Sequence, residues 1–174
     1  MSVEIWDVLD SNGCPKGKTI LRGDNRLKPG EYHLVVHIWV VSSKGEFLIQ
    51  KRSDSKKLMP GEWAATGGAA VSGENSYMAA HRELLEELGI DAAQDNFSKL
   101  ARIRRRNSLL DIWATLVDKH ESEFSLQESE VAQVKWVTKE TLIKMIEDKT
   151  FHNYGKDYFE TVFSEIDNFW RIKV

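Results

Sequence analysis

Among its 174 residues the chain has one cysteine, Cys14. A single thiol excludes an internal disulfide framework, so a reducing, cytoplasmic setting is expected. No apolar run approaches the roughly 18 residues that a membrane-spanning helix needs. Met1 is followed by Ser2-Val3-Glu4 and not by the basic and apolar stretches of a signal peptide. Positive charge is not in excess either: 24 Lys and Arg stand against 27 Asp and Glu, a net charge of -3. The basic footprint of a nucleic-acid binder is therefore missing, and neither a nucleic-acid nor a membrane partner is expected. Low-complexity segments, internal repeats and long linkers are absent as well. What remains is ordinary for a globular chain, with 41% hydrophobic and 29% charged residues. The length suits one well-packed domain and is too short for two large ones, so residues 1–174 are read as a single domain with a core over about 31–150.

Residues 3–9 alternate as a strand does, Ser11-Asn12-Gly13 is a turn, and 18–22 can pair back as a hairpin. Tyr32 to Val41 is a β-branched and aromatic run that predicts a strand buried on both faces. Ser42-Ser43-Lys44-Gly45 turns it into a second strand over 46–52. Further strands are predicted over 63–66, 100–106, 111–117 and 134–137, and a helix capped by Thr138 over 140–148. From 154 to 171 apolar residues recur at helical spacing: Tyr158, Val162, Phe163, Ile166, Phe169 and Trp170. That pattern predicts an amphipathic helix docked on the sheet. Strands mixed with separated helices make the chain α+β, or an α/β sandwich.

The densest chemistry lies between Gly68 and Ile90, GAAVSGENSYMAAHRELLEELGI. Asn75 or Ser76 can cap a helix that Gly89 ends. Inside it Glu83, Glu86 and Glu87 stand at i, i+3 and i+4 and share one face, while Tyr77, His81, Leu84 and Leu88 recur on the opposite side. Like charges at this spacing cost an isolated helix a few tenths of a kcal/mol per pair. Such a cluster is either left in solvent, the usual fate of Glu, or used on a cation. The full spacing decides between them. Gly68, Glu74, Arg82, Glu83, Glu86, Glu87 and Gly89 fall in the order of the Nudix box. Seven fixed identities plus aliphatic positions arise by chance below roughly once in a hundred million starts. The chain thus resembles the Nudix family.

That resemblance implies a Nudix-like α/β/α sandwich with a mixed sheet, the Nudix helix at about 75–88, and here an extra N-terminal hairpin and C-terminal helix. It also implies a MutT-like, metal-dependent pyrophosphatase reaction: hydrolysis of a diphosphate bond in a nucleoside diphosphate linked to another moiety. Mg²⁺ or Mn²⁺ would be the cofactor, since such cations take hard oxygen ligands and bridge phosphates. Carried over onto this chain, Glu83, Glu86, Glu87 and the Gly68 carbonyl are the implied metal ligands. Glu83 also contacts the water, Arg82 orients the glutamates, and Glu74 is its partner. Repulsion among the glutamates is expected to raise at least one carboxyl pKa. The general base is implied to lie outside the box at Glu130, with Glu128 and Asp111 as alternatives.

Beyond the box, Glu4-Ile-Trp-Asp7, His33 to Trp39, Gln50-Lys-Arg-Ser53 and Met59-Pro-Gly-Glu-Trp63 resemble the Nudix branch related to type 1 isopentenyl-diphosphate isomerase. Those isomerases need a cysteine just before the helix, where this chain has Thr66-Gly67-Gly68-Ala69. An isomerase-like enzyme and a non-catalytic nucleotide-binding domain stand as the alternatives. Arg102, Arg104 and Arg106, at period two, read as a solvated strand face more than as a phosphate grip. Trp39, Trp63, His33 and His37 read as packing residues. The expected partner is a small, nucleotide-like diphosphate. A homodimer through the hairpin or the C-terminal helix is open, as both elements can equally cover their own core.

Overall fold

A computed structural model describes residues 4–24 and 26–174. Seven strands form one mixed sheet: β3 (His33–Val41), β4 (Phe47–Arg52), β5 (Trp63–Ala64), β6 (Thr66–Ala69), β7 (Phe97–Arg104), β8 (Ser108–Leu116) and β9 (Val131–Val137). β3 is its axis. It runs parallel to β8 along its whole length, from His33 opposite Ser108 to Val41 opposite Leu116. It also pairs antiparallel with β6 at one end and with β4 at the other. β4 continues outward to β5 and β9, and β7 closes the other edge.

Strand periodicity sorts the β3 side chains into two cores. Leu34, Val36, Ile38 and Val40 face α1 (Ser76–Leu88) and pack with Ala79, Ala80, Leu84 and Leu88. Trp39 and Val41 face the opposite layer, where α2 (Lys139–Glu147) contributes Leu142 and Met145. α3 (Lys156–Lys173) adds Tyr158, Phe159, Val162, Ile166 and Phe169 to that layer. The result is the α/β/α sandwich with a mixed sheet. The buried aromatic face of α3 is used on the chain's own sheet.

β1 (Ile5–Leu9) and β2 (Pro15–Leu21) form the separate N-terminal hairpin. It joins the main sheet where Leu9 and Tyr32 exchange backbone hydrogen bonds at 2.7 and 3.0 Å. Several strands start earlier than hydrophobicity alone predicts. β9 begins at Val131 because Val131 and Gln133 pair with Arg52 and Lys51 of β4. β7 and β8 begin at Phe97 and Ser108, so both lie a little upstream of the apolar windows that suggested them. Backbone pairing, and not side-chain hydropathy, sets those ends.

Candidate active site

The site is built where β6 hands over to α1. Two caps fix α1. Asn75 accepts a hydrogen bond from the Met78 N–H at 2.9 Å. Gly89 ends the helix in the left-handed region at φ 66°, its N–H reaching Leu85 O at 3.0 Å. Ser76, the other capping candidate, instead accepts the Trp113 indole N–H at 2.9 Å.

The three glutamates share a face but not a depth. Glu87 is buried at 4% exposure, Glu83 is half-buried, and Glu86 is exposed. Leu84, three residues earlier, and Leu88, the next residue, anchor the core side, and Glu87 is drawn in with them against Gln50 of β4. Burial, first of all, pushes the Glu87 carboxyl up to about 7, with the nearby Glu83 and Glu130 charges adding to the rise and a Gln50 hydrogen bond opposing it. Burial likewise raises Glu83, against the pull of Arg82. The expected rise is present, but desolvation is its main cause and mutual repulsion comes second.

Gln50, which the sequence offered only within the Gln50-Lys-Arg-Ser53 motif, is a site residue. It is buried, accepts the Thr66 hydroxyl at its Oε1 (3.1 Å), and so turns its Nε2 to Glu87 Oε2 at 2.9 Å. A neutral donor of fixed orientation thus meets a carboxyl that has little solvent.

Arg82 is saturated as a brace. It holds Glu74 in a bidentate grip, Nε to Oε1 at 2.7 Å and Nη2 to Oε2 at 3.0 Å. It also reaches the Ala69 carbonyl at 3.1 Å, Glu83 Oε1 at 2.9 Å and Glu86 Oε2 at 3.1 Å. Glu74 Oε2 in turn accepts the Val71 N–H at 2.9 Å. Loop, β6 and helix are therefore locked through one guanidinium, whose planar fork suits bidentate pairing.

This arrangement fits a hard divalent cation. Arg82 takes only one oxygen each from Glu83 and Glu86, and Gln50 takes one from Glu87. Glu83 Oε2, Glu86 Oε1 and Glu87 Oε1 carry no hydrogen bond among the described residues. Oxygen donors on a rigid helix are what Mg²⁺ or Mn²⁺ prefers. Gly68 lies so close to Glu83 that a side chain there would overlap the carboxylate, which brings the β6 backbone against the same spot. Among the described residues no three acidic, imidazole or thiol groups already form a closed cation cage.

The glutamates border a cleft of about 680 Å³. Arg52, Lys56, Gln127 and Glu130 line it as well, together with Glu4, Ile5 and Arg22 from the N-terminal hairpin. Glu130 is thus beside the helix and is ion-paired with Lys56. Sequence reasoning did not single out Arg22, Lys56 or Gln127, and gave Arg52 only within the Gln50-Lys-Arg-Ser53 resemblance, because each comes from a loop or strand end whose place only the fold reveals.

Other candidates lie elsewhere. Asp111 is fully buried on β8 and held by Lys99 at 2.6 Å and by Arg102 at 2.5 and 2.8 Å. Burial raises its pKa, yet these bonds outweigh that and hold the carboxyl below its ordinary value. It is a structural anchor outside the cleft. Glu128 is exposed and does not line the cleft. Arg102 is spent on Asp111 and the Asn12 carbonyl, while Arg104 and Arg106 are exposed. Trp39 is core, Trp63 is half-buried beneath the Lys135 ammonium, and His33 stacks on Trp6. His37 is buried against Tyr154 and Tyr158. Gly67 has no room for even a Cβ, which would run into the Val36 carbonyl and the His37 ring.

Comparison with known proteins gives the family and the fold. A sequence profile of the NUDIX domain matches residues 31–159. A Nudix hydrolase of Listeria monocytogenes is 40% identical over 141 residues, covering 80% of this chain and 83% of that protein. The crystal structure of DR0079 from Deinococcus radiodurans superposes with a TM-score of 0.69 at 27% identity, covering 83% of this chain and 90% of that one. The NUDIX domain of Shewanella oneidensis NrtR, solved with ADP ribose, shares the fold at a TM-score of 0.54 and 18% identity, over 71% of this chain and 82% of that one.

Proposed function

Because this chain belongs to the Nudix family, we propose that it hydrolyses a diphosphate bond in a nucleoside diphosphate linked to another moiety. The observation that carries this reading is the set of three glutamates on one helix, each with an oxygen free of hydrogen bonds among the described residues, lining a cleft that Arg52 and Lys56 also line. Gly68, Glu83, Glu86 and Glu87 would hold Mg²⁺ or Mn²⁺. When bound, such a cation neutralises phosphate charge and makes water a better nucleophile.

The chain's own residues supply the rest. Arg52 donates one side-chain hydrogen bond, to the Leu58 carbonyl at 3.2 Å, which leaves its terminal N–H groups for a phosphate oxygen. Glu130 acts as general base and takes the proton from the attacking water, with Glu83 orienting that water. Lys56 holds Glu130 ready and supplies a second cation facing the phosphates. As the new P–O bond forms, the bridging P–O bond breaks and its electrons leave with the second phosphate. Arg82 and Glu74 keep the glutamates in place. The whole of 1–174 acts as a single domain on a small nucleotide-like molecule in the cytoplasm. No helix among the described residues is long and apolar enough to cross a membrane.

The isomerase-like alternative requires a thiol at the position of Gly67 in β6, where there is no space for a side chain. A phosphate-release screen over nucleoside di- and triphosphates, nucleotide sugars, dinucleotides and isopentenyl diphosphate tests the reading. Mg²⁺-dependent cleavage of at least one nucleotide is the expected result. Double-bond migration in isopentenyl diphosphate, with no cleavage of any nucleotide, would overturn it.

A further inference from the structure

We propose that Arg22 of the N-terminal hairpin is a specificity-determining residue that binds an anionic group on the moiety joined to the diphosphate. This rests on the hydrolase reading above and extends it to one end of the substrate.

Arginines at the cleft differ in what they have left to give. Arg82 has every nitrogen engaged. Arg22, in contrast, donates one side-chain hydrogen bond among the described residues, from Nη1 to Glu4 Oε2 at 2.5 Å. Of the five N–H groups of a guanidinium, four remain. Its side chain is 58% exposed and lines the cleft beside Ile5 and Ser72. Glu4 offsets part of the Arg22 charge but takes only one of its N–H groups, its other oxygen being held by the Trp6 indole N–H at 2.9 Å, so the remaining donors are left to face an anion. The backbone N–H of Arg22 also bonds the Glu4 carbonyl at 2.9 Å, so the residue is fixed at both ends of its reach.

The hairpin that presents Arg22 is fastened to the box loop. Ser72 N–H donates to the Ile5 carbonyl at 2.8 Å, its hydroxyl to Asp7 Oδ1 at 2.7 Å, and Gly73 N–H to Asp7 Oδ2 at 2.8 Å. At the far turn Arg102 clamps the Asn12 carbonyl. Arg22 therefore stands in a set position relative to the glutamates. Arg52, at the end of β4, and Lys56, in the loop after it, line the same cleft from a different element. A diphosphate lying over the glutamates meets cations from both elements, and the arm reaching the hairpin is favoured if it carries its own phosphate. Nucleoside triphosphates, and nucleoside diphosphates joined to a phosphorylated group, belong to this class.

Calorimetric binding of non-hydrolysable α,β-methylene nucleotides to the full chain in Mg²⁺ tests this without needing turnover. Wild type is expected to bind the triphosphate analogue about tenfold more tightly than the diphosphate analogue, the size of one charge-assisted contact. Arg22→Ala should abolish that gap and leave diphosphate affinity unchanged, and Arg22→Lys should restore part of it. An unchanged gap in Arg22→Ala, an equal loss for both analogues, no gap in wild type, or no binding of either would each overturn the assignment. Binding with the expected gap but no cleavage of any hydrolysable nucleotide would instead refute the hydrolase reading alone.

Discussion

His37 sets a limit on acid stability that can be worked out from its surroundings. It is buried on β3, its Nδ1 is 2.8 Å from the Tyr158 hydroxyl, and the Trp39 indole donates to that same hydroxyl at 3.1 Å. An indole N–H can only donate, and the Tyr158 hydroxyl meets no other acceptor among the described residues, so its oxygen accepts from Trp39 and its own hydrogen goes to His37 Nδ1. The imidazole is thereby held neutral, with its proton on Nε2. Burial, joined by the Arg105 and His152 charges, pushes its pKa down to about 3 from an ordinary 6.5. A histidine whose folded pKa is depressed binds fewer protons folded than unfolded. Its contribution is fully present above 6.5 and is lost as pH falls toward 3. At 1.36 kcal/mol per pH unit, about 2 kcal/mol is gone by pH 5 and about 3 kcal/mol by pH 4. For a chain of this length that is a fall in Tm of roughly 4–12 °C over the interval. The assay is thermal unfolding of wild type and His37→Gln between pH 7.5 and 4. Gln accepts the Tyr158 hydrogen bond but cannot be protonated, and every other group titrates in both proteins. Wild type should start more stable and lose that lead as the pH falls. Parallel curves, or an imidazole that titrates by NMR near 6.5, would refute the reasoning.

Three other substitutions have expected outcomes. Glu87→Gln removes the ionisation that burial disfavours, so in EDTA at pH 8 it should raise Tm above wild type. The advantage should vanish below about pH 4.5, where both side chains are neutral, because a raised carboxyl pKa costs stability as pH rises from 4.5 through about 7. In Mn²⁺ the same variant should lose at least tenfold in metal affinity by titration calorimetry. Asp111→Asn leaves Lys99 and Arg102 unpaired. These are about a third exposed and can rehydrate, so denaturant unfolding should show a loss of about 2–3 kcal/mol, below the full cost of a wholly buried pair. Gly68→Ala would displace the Glu83 carboxylate, and turnover should fall at least about a hundredfold with the fold intact by circular dichroism.

The box was readable because its chemistry demands residues at fixed spacing on one helix. Asn75, Gly89 and the glutamate face follow from local rules of capping and periodicity. Depth did not. A helical wheel gives the angle of Glu87 but not that β4 and Gln50 close over it. The shared pKa rise was expected from charge proximity, whereas burial is its leading cause. Asp111 looked like a spare carboxylate because its two cations sit nine and twelve residues away on β7 and meet it only through strand pairing. Arg22 was hidden for a similar reason: it belongs to a hairpin whose docking on Ser72 and Gly73 depends on Asp7. Interactions inside one element were legible, whereas most of those assembled across elements were not, the Arg82–Glu74 pair having come from the resemblance.

Metal-dependent turnover by Glu86→Gln and Glu87→Gln, beside wild type, tests the central claim most directly. With a nucleotide substrate identified by phosphate release, wild type should be active in Mg²⁺ and silent in EDTA. Each variant should lose at least about a hundredfold in kcat at saturating Mg²⁺. Turnover in both variants equal to wild type, at the same Mg²⁺ concentration, would contradict the assignment of these glutamates to the metal.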